Sequence, residues 1–193
     1  MNNNSTQWIQ DRDFIRGDVP MTKQEVRWTT LVKMKLTSQM VFLDIGGGSG
    51  SVSVQAAKIL DGGKVYAIES NPDAVEVFRQ NVTRFELKNV ELLESKAPDG
   101  LDRIGKVDRI FIGGSGGNID EILKTCDGIL KEEGMMAAHF ITMENAMHML
   151  SFLKEHSYEY EIMQMSVARG KSVGGVTMMQ AENPVFVMVA QKQ

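Results

Sequence analysis

Several residue types that would indicate particular functions are scarce in this chain of 193 residues. Cys126 is the single cysteine, which excludes an intramolecular disulfide, and no Cys and His group has metal-ligand spacing, so we expect no metal site. No apolar run approaches the ~20 residues of a membrane-spanning helix. The N-terminus lacks the basic and apolar regions of a secretory signal. The sequence therefore predicts a cytoplasmic protein without membrane contacts.

A basic excess is also missing, since the formal net charge is −4. Surfaces that bind nucleic acids usually carry many more Lys and Arg residues than acids, so no nucleic-acid partner is expected. The hydrophobic content of 42% is enough for a folded core, and the length fits one domain. We expect residues 1–20 to form an arm or lid and residues 21–193 to form a single domain.

Apolar strand patterns alternate with helical patterns along most of the chain, which predicts parallel strands joined by right-handed crossovers. Two further strand-like runs near the C-terminus have no helix between them and should pair antiparallel. The fold class is therefore α/β, a doubly wound, mostly parallel seven-stranded sheet with an antiparallel last strand. The predicted strands lie at 40–45, 64–69, 89–94, 108–112, 135–141, 158–168 and 184–190.

A glycine-rich turn follows the first predicted strand, with Asp44 before it and Glu69 at the end of the next strand. The third glycine comes one residue too early for the dinucleotide fingerprint. The pattern Asp-x-Gly-x-Gly-x-Gly resembles the first motif of S-adenosylmethionine-dependent methyltransferases, and Glu69 resembles the acid that accepts the ribose hydroxyls. A turn that only closes a strand–helix connection would not need these two acids. The predicted cofactor residues here are Gly46, Gly47, Gly48, Ser49, Gly50 and Glu69.

Ligands of open α/β sheets bind beyond the carboxyl ends of the strands. A second glycine cluster follows the fourth strand and leaves space and backbone N–H groups for a bulky anionic substrate. A flexible loop with an N-cap at Asn118 explains the same residues, and both interpretations stay open. The Asn/Asp-Pro-Pro-aromatic motif of many N-methyltransferases is absent here. The cluster consists of Gly113, Gly114, Ser115 and Gly116.

The segment before the first strand begins an amphipathic helix. Thr22 and Glu25 match the capping box of a helix N-terminus. Lys23 and Arg27 lie four residues apart on one helical face, where charged side chains are usually solvated. Local structure therefore explains Thr22 and Glu25 without a ligand, but it does not explain why Lys23 and Arg27 are basic.

Three segments together resemble one family: Val-Pro-Met-Thr-Lys-Gln-Glu-Val-Arg at 19–27, Leu-Asp-Ile-Gly-Gly-Gly-Ser-Gly-Ser-Val-Ser-Val at 43–54, and Phe-Ile-Gly-Gly-Ser-Gly-Gly at 111–117. The chain resembles the decarboxylating precorrin methyltransferases of cobalamin biosynthesis, which have the class I methyltransferase fold, over residues 14–192. The resemblance implies methylation of carbon 15 of a cobalt-precorrin, loss of the ring C acetate carboxylate, and a homotetramer. A class I methyltransferase acting on another small molecule or on RNA is the alternative.

The resemblance also implies roles for individual residues. Thr22 and Ala97 join the glycine turn and Glu69 as cofactor residues. Gly47 and Ser49 stand where family members often have Ala or Thr. His139 is either a proton shuttle or a structural histidine, and no catalytic acid or base is assigned. A polycarboxylate tetrapyrrole needs cationic contacts, for which the candidates are Arg16, Lys23, Arg169 and Lys171.

Overall fold

A seven-stranded sheet forms the centre of the protein. Its strand order in the computed structural model, which describes residues 8–193, is β3-β2-β1-β4-β5-β9-β6. β9 is antiparallel to both of its neighbours, β5 and β6. The predicted α/β fold with an antiparallel last strand is confirmed. The sheet strands are β1 (Val41–Ile45), β2 (Lys64–Glu69), β3 (Val90–Glu94), β4 (Val107–Ile112), β5 (Leu130–Phe140), β6 (Glu159–Met165) and β9 (Val185–Gln191).

Helices cover both faces of the sheet, which explains why its central strands are apolar on both sides. Successive strand residues point to opposite faces. Phe42 therefore packs in a core with α1 and α2, whereas Leu43 packs in a second core with α4 and α5. Cys126 is buried in this second core, as its position in an apolar helix predicts. The helices are α1 (Gln24–Lys33), α2 (Ser51–Ile59), α3 (Pro72–Arg84), α4 (Ile119–Ile129) and α5 (Met143–Glu155).

Residues 8–20, here called the N-terminal strap, pack tightly on the domain. Ile9 and Phe14 are buried against Met21 and Val54. Arg27 of α1 is completely buried and donates hydrogen bonds to the carbonyl oxygens of Ile9, at 2.7 Å, and Thr22, at 2.8 Å. The predicted solvated position of Arg27 is therefore wrong, because its guanidinium holds the strap. The first seven residues of the predicted arm lie outside the described residues.

The start of α1 also differs from the prediction. Lys23 is the N-cap residue, and no side-chain capping bond is formed there, so the predicted capping box of Thr22 and Glu25 is wrong. Both carboxylate oxygens of Glu25 instead accept hydrogen bonds from Arg169, at 2.9 and 2.6 Å. A long-range ion pair has replaced the local cap.

A β-hairpin outside the main sheet occupies the segment between β6 and β9. It consists of β7 (Ala168–Val173) and β8 (Val176–Ala181), which pair only with each other. Gly174 and Gly175 form its turn with φ values of 56° and 84°. Turns with two positive φ values suit the twist of a two-residue hairpin. No helix among the described residues is long and apolar enough to cross a membrane.

Candidate active site

An open cleft of about 840 Å³ lies beyond the carboxyl ends of β1 to β4. All four loops that follow these strands line it, at 46–49, 70–71, 95–97 and 113–116. The strap closes one side through Arg16, Val19 and Pro20. The predicted residues Thr22 and Ala97 lie in the same lining. The fold thus gathers segments that are far apart in sequence at the edge where α/β proteins bind ligands.

The two glycine clusters are in direct contact at the floor of the cleft. A Cβ atom on Gly46, whose φ is +72°, would lie 2.8 Å from the backbone nitrogen of Gly114. One on Gly48, whose φ is +53°, would lie 3.2 Å from the carbonyl oxygen of Pro20 in the strap. A side chain at either position would be strained and would push these segments apart. Glycine is therefore required here by close backbone packing.

Gly47 and Gly50 have a different environment, because both face the ring of Phe78 on α3. A Cβ atom on Gly47 would lie 2.9 Å from Cε2 of Phe78, and one on Gly50 would lie 2.8 Å from Cδ2. Gly47 also lines the cleft, whereas Gly50 lies outside its lining at the start of α2. The Phe78 ring thus fills the space that a larger residue at position 47 would occupy.

Glu69 is held in place by three backbone donors. Its Oε2 accepts a hydrogen bond from the Gly48 N–H at 2.9 Å. Its Oε1 accepts from the N–H groups of Ser70 and Asn71, both at 2.8 Å. An ionised carboxylate has about four acceptor positions, so roughly one remains for a ligand. Asn71 caps α3 by accepting from the Asp73 N–H, with Pro72 in the first turn.

Asp44 is a buried carboxylate beside the cleft, and only 1% of its surface is exposed. Its Oδ2 accepts a hydrogen bond from the Ser53 hydroxyl at 2.5 Å, whereas Oδ1 has no partner among the described residues. Burial raises the pKa of Asp44 to about 7, against the opposing effect of the Ser53 hydrogen bond. Buried polar atoms are normally paired, so the free oxygen marks a position suited to a cation or a hydrogen-bond donor.

The four predicted cations do not meet in one place. Arg16 and Lys23 line the cleft. Lys23 lies 3.5 Å from Glu182, which lines the same cleft from the segment after β8. Arg169 and Lys171 lie on the hairpin and outside the cleft lining, with Arg169 engaged by Glu25. The cleft lining thus includes two of the four candidates, and a substrate contact by Arg169 or Lys171 stays a prediction.

The lining residues that were not predicted as site residues include Lys96, Glu182 and Ile141. Lys96 stands directly before Ala97 in the loop after β3, a position that the strand-end argument already marked. Glu182 could not be found this way, because the hairpin that carries it to the cleft was not predicted. Ile141 follows β5 and is 71% exposed at the cleft.

His139 lies in the cleft wall on β5, where its environment is mostly apolar. Its Nε2 lies 2.6 Å from Oγ1 of Thr30, and that hydroxyl donates to the Val26 carbonyl at 2.8 Å. This arrangement makes the Nε2–H the donor of the pair. The ring also packs edge-on against Phe111. Burial lowers the pKa of His139 to about 3, so the neutral ring supports the structural interpretation rather than a proton shuttle.

Similar proteins cover almost the whole chain. A probable cobalt-precorrin-6B C(15)-methyltransferase (decarboxylating) of Sulfolobus acidocaldarius is 39% identical over 188 residues, 96% of this chain and 97% of the relative. The corresponding Salmonella typhimurium protein, named cobalt-precorrin-6B C(15)-methyltransferase (decarboxylating), is 34% identical over 96% of each chain. The solved precorrin-6y C5,15-methyltransferase of Geobacter metallireducens has 38% identity and a TM-score of 0.92, covering 97% of this chain and 98% of that one.

The family comparison includes every segment that forms the cleft. Residues 13–192 match the family model described as "Precorrin methyltransferase domain". This range runs from the strap to the end of β9 and includes both glycine clusters and Glu69. The chain therefore belongs to the precorrin methyltransferase family.

Proposed function

We propose that this protein is an S-adenosylmethionine-dependent methyltransferase of cobalamin biosynthesis. It methylates carbon 15 of a cobalt-precorrin-6B and removes carbon dioxide from the acetate side chain on ring C. Relatives bearing this activity in their names, at 34% and 39% identity over nearly the full length, support the assignment. The observation that carries it is the cleft in which the Asp44–glycine–Glu69 arrangement meets the second glycine cluster.

The chain's residues fit the cofactor. S-adenosylmethionine carries a sulfonium and an ammonium group, and the free Oδ1 of buried Asp44 offers a negative partner beside the cleft. The remaining acceptor position of Glu69 suits a ribose hydroxyl, and a second hydroxyl requires the exchange of one backbone hydrogen bond. Thr22 and Ala97 would border the cofactor from the strap side and from the loop after β3. S-adenosylmethionine has no pyrophosphate, so the start of α2 does not need to form a phosphate site. Gly50 instead packs against Phe78 there.

When bound, S-adenosylmethionine supplies an electrophilic methyl group. The protein's contribution is to orient the ring carbon toward that group and to keep water away. Alignment of reacting groups supplies up to about 7–11 kcal/mol in the best intramolecular cases. The buried side chains of Val19 and Met21 and the ring of Phe111 give the cleft its apolar wall. Neutral His139 adds no positive charge that would repel a cationic cofactor.

The second step needs an electron sink, which the tetrapyrrole provides. Breaking the bond between the acetate methylene and its carboxyl carbon releases carbon dioxide, and the electron pair moves into the conjugated ring. A proton from solvent then adds to the methylene carbon, which becomes a methyl group. No side chain has to accept that pair. The volume of about 840 Å³ lies within the ~300–1,000 Å³ of ligand pockets. We propose that the macrocycle presents one edge to the open cleft, with its other carboxylates toward the rim.

We also propose that the protein is a homotetramer that assembles through its hairpin. An isolated two-stranded hairpin is marginally stable in water. This one exposes Val173, Val176 and Met178 on one face and Met179 on the other, and these side chains are 47% to 67% accessible. Contiguous exposed apolar side chains usually mark an interface. A second copy of the same hairpin would bury the face formed by Val173, Val176 and Met178 by packing its own equivalent face against it.

Calorimetric titration tests the cofactor assignment directly. We expect S-adenosylmethionine to bind one site per chain and NAD to bind far more weakly. A Glu69→Ala variant should lose most of its affinity for S-adenosylmethionine. The control Glu91→Ala, which changes an exposed residue of β3, should retain it. Tighter binding of NAD than of S-adenosylmethionine would contradict the assignment.

A further inference from the structure

Three basic residues line the cleft: Arg16, Lys23 and Lys96. They differ in whether an acidic side chain already neutralises them. Lys23 has Glu182 as its ion-pair partner at 3.5 Å. Within residues 8–193, Arg16 and Lys96 form no ion pair. Their charges are therefore available to a ligand, whereas the charge of Lys23 is already partly compensated.

Lys96 connects two loops of the cleft. Its backbone follows β3, and its carbonyl oxygen accepts a hydrogen bond from the Asp99 N–H at 2.9 Å. Its side chain extends to the second glycine cluster after β4, where Cε would lie 3.6 Å from a Cβ atom on Gly116. The absence of a side chain at position 116 leaves the surface beside the ammonium group open.

The glycine cluster adds backbone donors next to Lys96. Residues 115–118 form a turn closed by a hydrogen bond of 3.0 Å from the Asn118 N–H to the Ser115 carbonyl. Gly116 and Gly117 have φ values of 55° and 85°. Their N–H groups donate to no acceptor in the described part of the chain. An ammonium group beside free backbone N–H groups is a good carboxylate site, because charge-assisted hydrogen bonds are among the strongest in proteins.

We infer that Lys96 and the 115–117 turn bind a side-chain carboxylate of the tetrapyrrole that is retained in the product. This inference rests on the proposed function. An ammonium group stabilises a bound carboxylate more than it stabilises the transition state of decarboxylation, in which the negative charge of that carboxylate moves into the ring. Only interactions that strengthen in the transition state accelerate a reaction. Lys96 would therefore slow the loss of a carboxylate bound to it, so it holds one that stays and fixes the position of the ring.

Arg16 lines the cleft from the strap, a different segment from the loop that carries Lys96. It lies on the strap next to Gly17, where an added Cβ atom would lie 3.4 Å from Cγ2 of Val77 on α3. A macrocycle with carboxylates around its rim can contact both cations at once. Lys96 is the better determinant of position, because its neighbouring backbone donors add direction to its charge.

Steady-state kinetics with the tetrapyrrole substrate test the inference. We compare the full-length wild-type protein with Lys96→Met, Lys96→Arg and the control Lys88→Met, which changes an exposed lysine outside the cleft. Loss of one charge-assisted contact should raise the KM for the tetrapyrrole about tenfold in Lys96→Met. Lys96→Arg should restore most of the affinity, and Lys88→Met should resemble the wild type.

Two further readouts separate this role from others. The dissociation constant for S-adenosylmethionine, measured by calorimetry, should be unchanged in Lys96→Met, and so should the ratio of carbon dioxide released to methyl groups transferred. Wild-type turnover with an unchanged KM in Lys96→Met would overturn this inference alone, as would a tenfold weaker affinity for S-adenosylmethionine. Failure of the wild-type protein to methylate the tetrapyrrole would overturn the proposed function and the inference with it.

Discussion

The side-chain amide of Asn81 donates a hydrogen bond of 2.8 Å to the carbonyl oxygen of Ser49 in the glycine turn. The same amide also accepts a hydrogen bond from the Ile15 N–H and donates one to the Ile15 carbonyl oxygen, each at 2.8 Å. Asn81 is completely buried on α3. One residue therefore joins the N-terminal strap, which carries Arg16, to the turn that forms the floor of the cleft.

Replacement of Asn81 should weaken cofactor binding as well as the fold. Asn81→Ala leaves three backbone groups without a partner, and each such buried group costs about 1–3 kcal/mol when water cannot replace the bond. We expect the free energy of unfolding to fall by about 2–4 kcal/mol and the dissociation constant for S-adenosylmethionine to rise roughly tenfold. Chemical denaturation and calorimetry measure the two effects.

Asn89→Ala is the matched control for this change. Asn89 also bonds backbone carbonyl oxygens, those of Ala57 and Leu60, but lies outside the cleft lining. It should lower the stability to a similar degree and leave the cofactor affinity unchanged. Equal loss of affinity in both variants would show that Asn81 acts only through global stability.

Cofactor binding should release a proton from Asp44. Burial raises its pKa to about 7, whereas a bound cation favours the ionised carboxylate. The affinity for S-adenosylmethionine should therefore fall as the pH drops below 7, approaching about tenfold per pH unit. Calorimetry near pH 6.5 in buffers of different ionisation enthalpy measures the released proton. Asp44→Asn should bind without this release, and an unchanged proton count in that variant would exclude Asp44 as its source.

The raised pKa of Asp44 also determines how the free energy of unfolding of the cofactor-free protein changes with pH. Between its ordinary value of 3.8 and about 7, Asp44 binds more protons in the folded state than in the unfolded state. The stability contributed by this group is therefore greatest below pH 3.8 and is lost as the pH rises toward 7. Asp44→Asn should remove this dependence, and saturating S-adenosylmethionine should reduce it.

Glu69→Gln should damage the cofactor site with little effect on the fold. The amide has one acceptor oxygen in place of two, so it cannot serve Gly48, Ser70, Asn71 and a ribose hydroxyl together. We expect the dissociation constant for S-adenosylmethionine to rise about 10- to 100-fold, as for the loss of a hydrogen bond to a charged group. Thermal unfolding of the free variant should stay close to that of the wild type. Unchanged affinity would show that Glu69 only organises the turn.

The hairpin should control assembly. Val173 and Val176 are directly paired, and Val176 and Met178 share one face of β8 because strand residues alternate. Val176→Asp places a charge in this face and should convert the proposed tetramer into smaller species in sedimentation velocity experiments. Thr177→Asp, on the opposite face, is the control. A monomeric wild-type protein, or a tetramer that tolerates Val176→Asp, would contradict assembly through this face.

Local patterns predicted the parts of the site that lie within a few residues of one strand end. The glycine turn and Glu69 are of this kind, because their geometry depends on the residues next to them. The capping box failed for the opposite reason: the partner of Glu25, Arg169, is 144 residues further along the chain. The burial of Arg27 likewise depends on the strap that folds over it. Neither contact leaves a periodic or spaced pattern in the sequence.

Local patterns also did not predict which basic residues line the cleft. All four candidate cations were plausible by residue type, yet two of them lie on a hairpin outside the cleft. Lys96 was overlooked although its loop was expected at the ligand-binding edge. Only the folded chain shows that its side chain reaches Gly116.

Under the proposed function, one protein performs both methyl transfer and decarboxylation on a tetrapyrrole. Mass spectrometry of cobalt-precorrin-6B, after incubation with the protein and isotope-labelled S-adenosylmethionine, measures both steps in one product. We predict a product that has gained one labelled methyl group and lost one carbon dioxide, with the label on carbon 15 by NMR. A product that gains the methyl group but keeps all its carboxylates, or an unmodified tetrapyrrole in the presence of bound cofactor, would contradict the account.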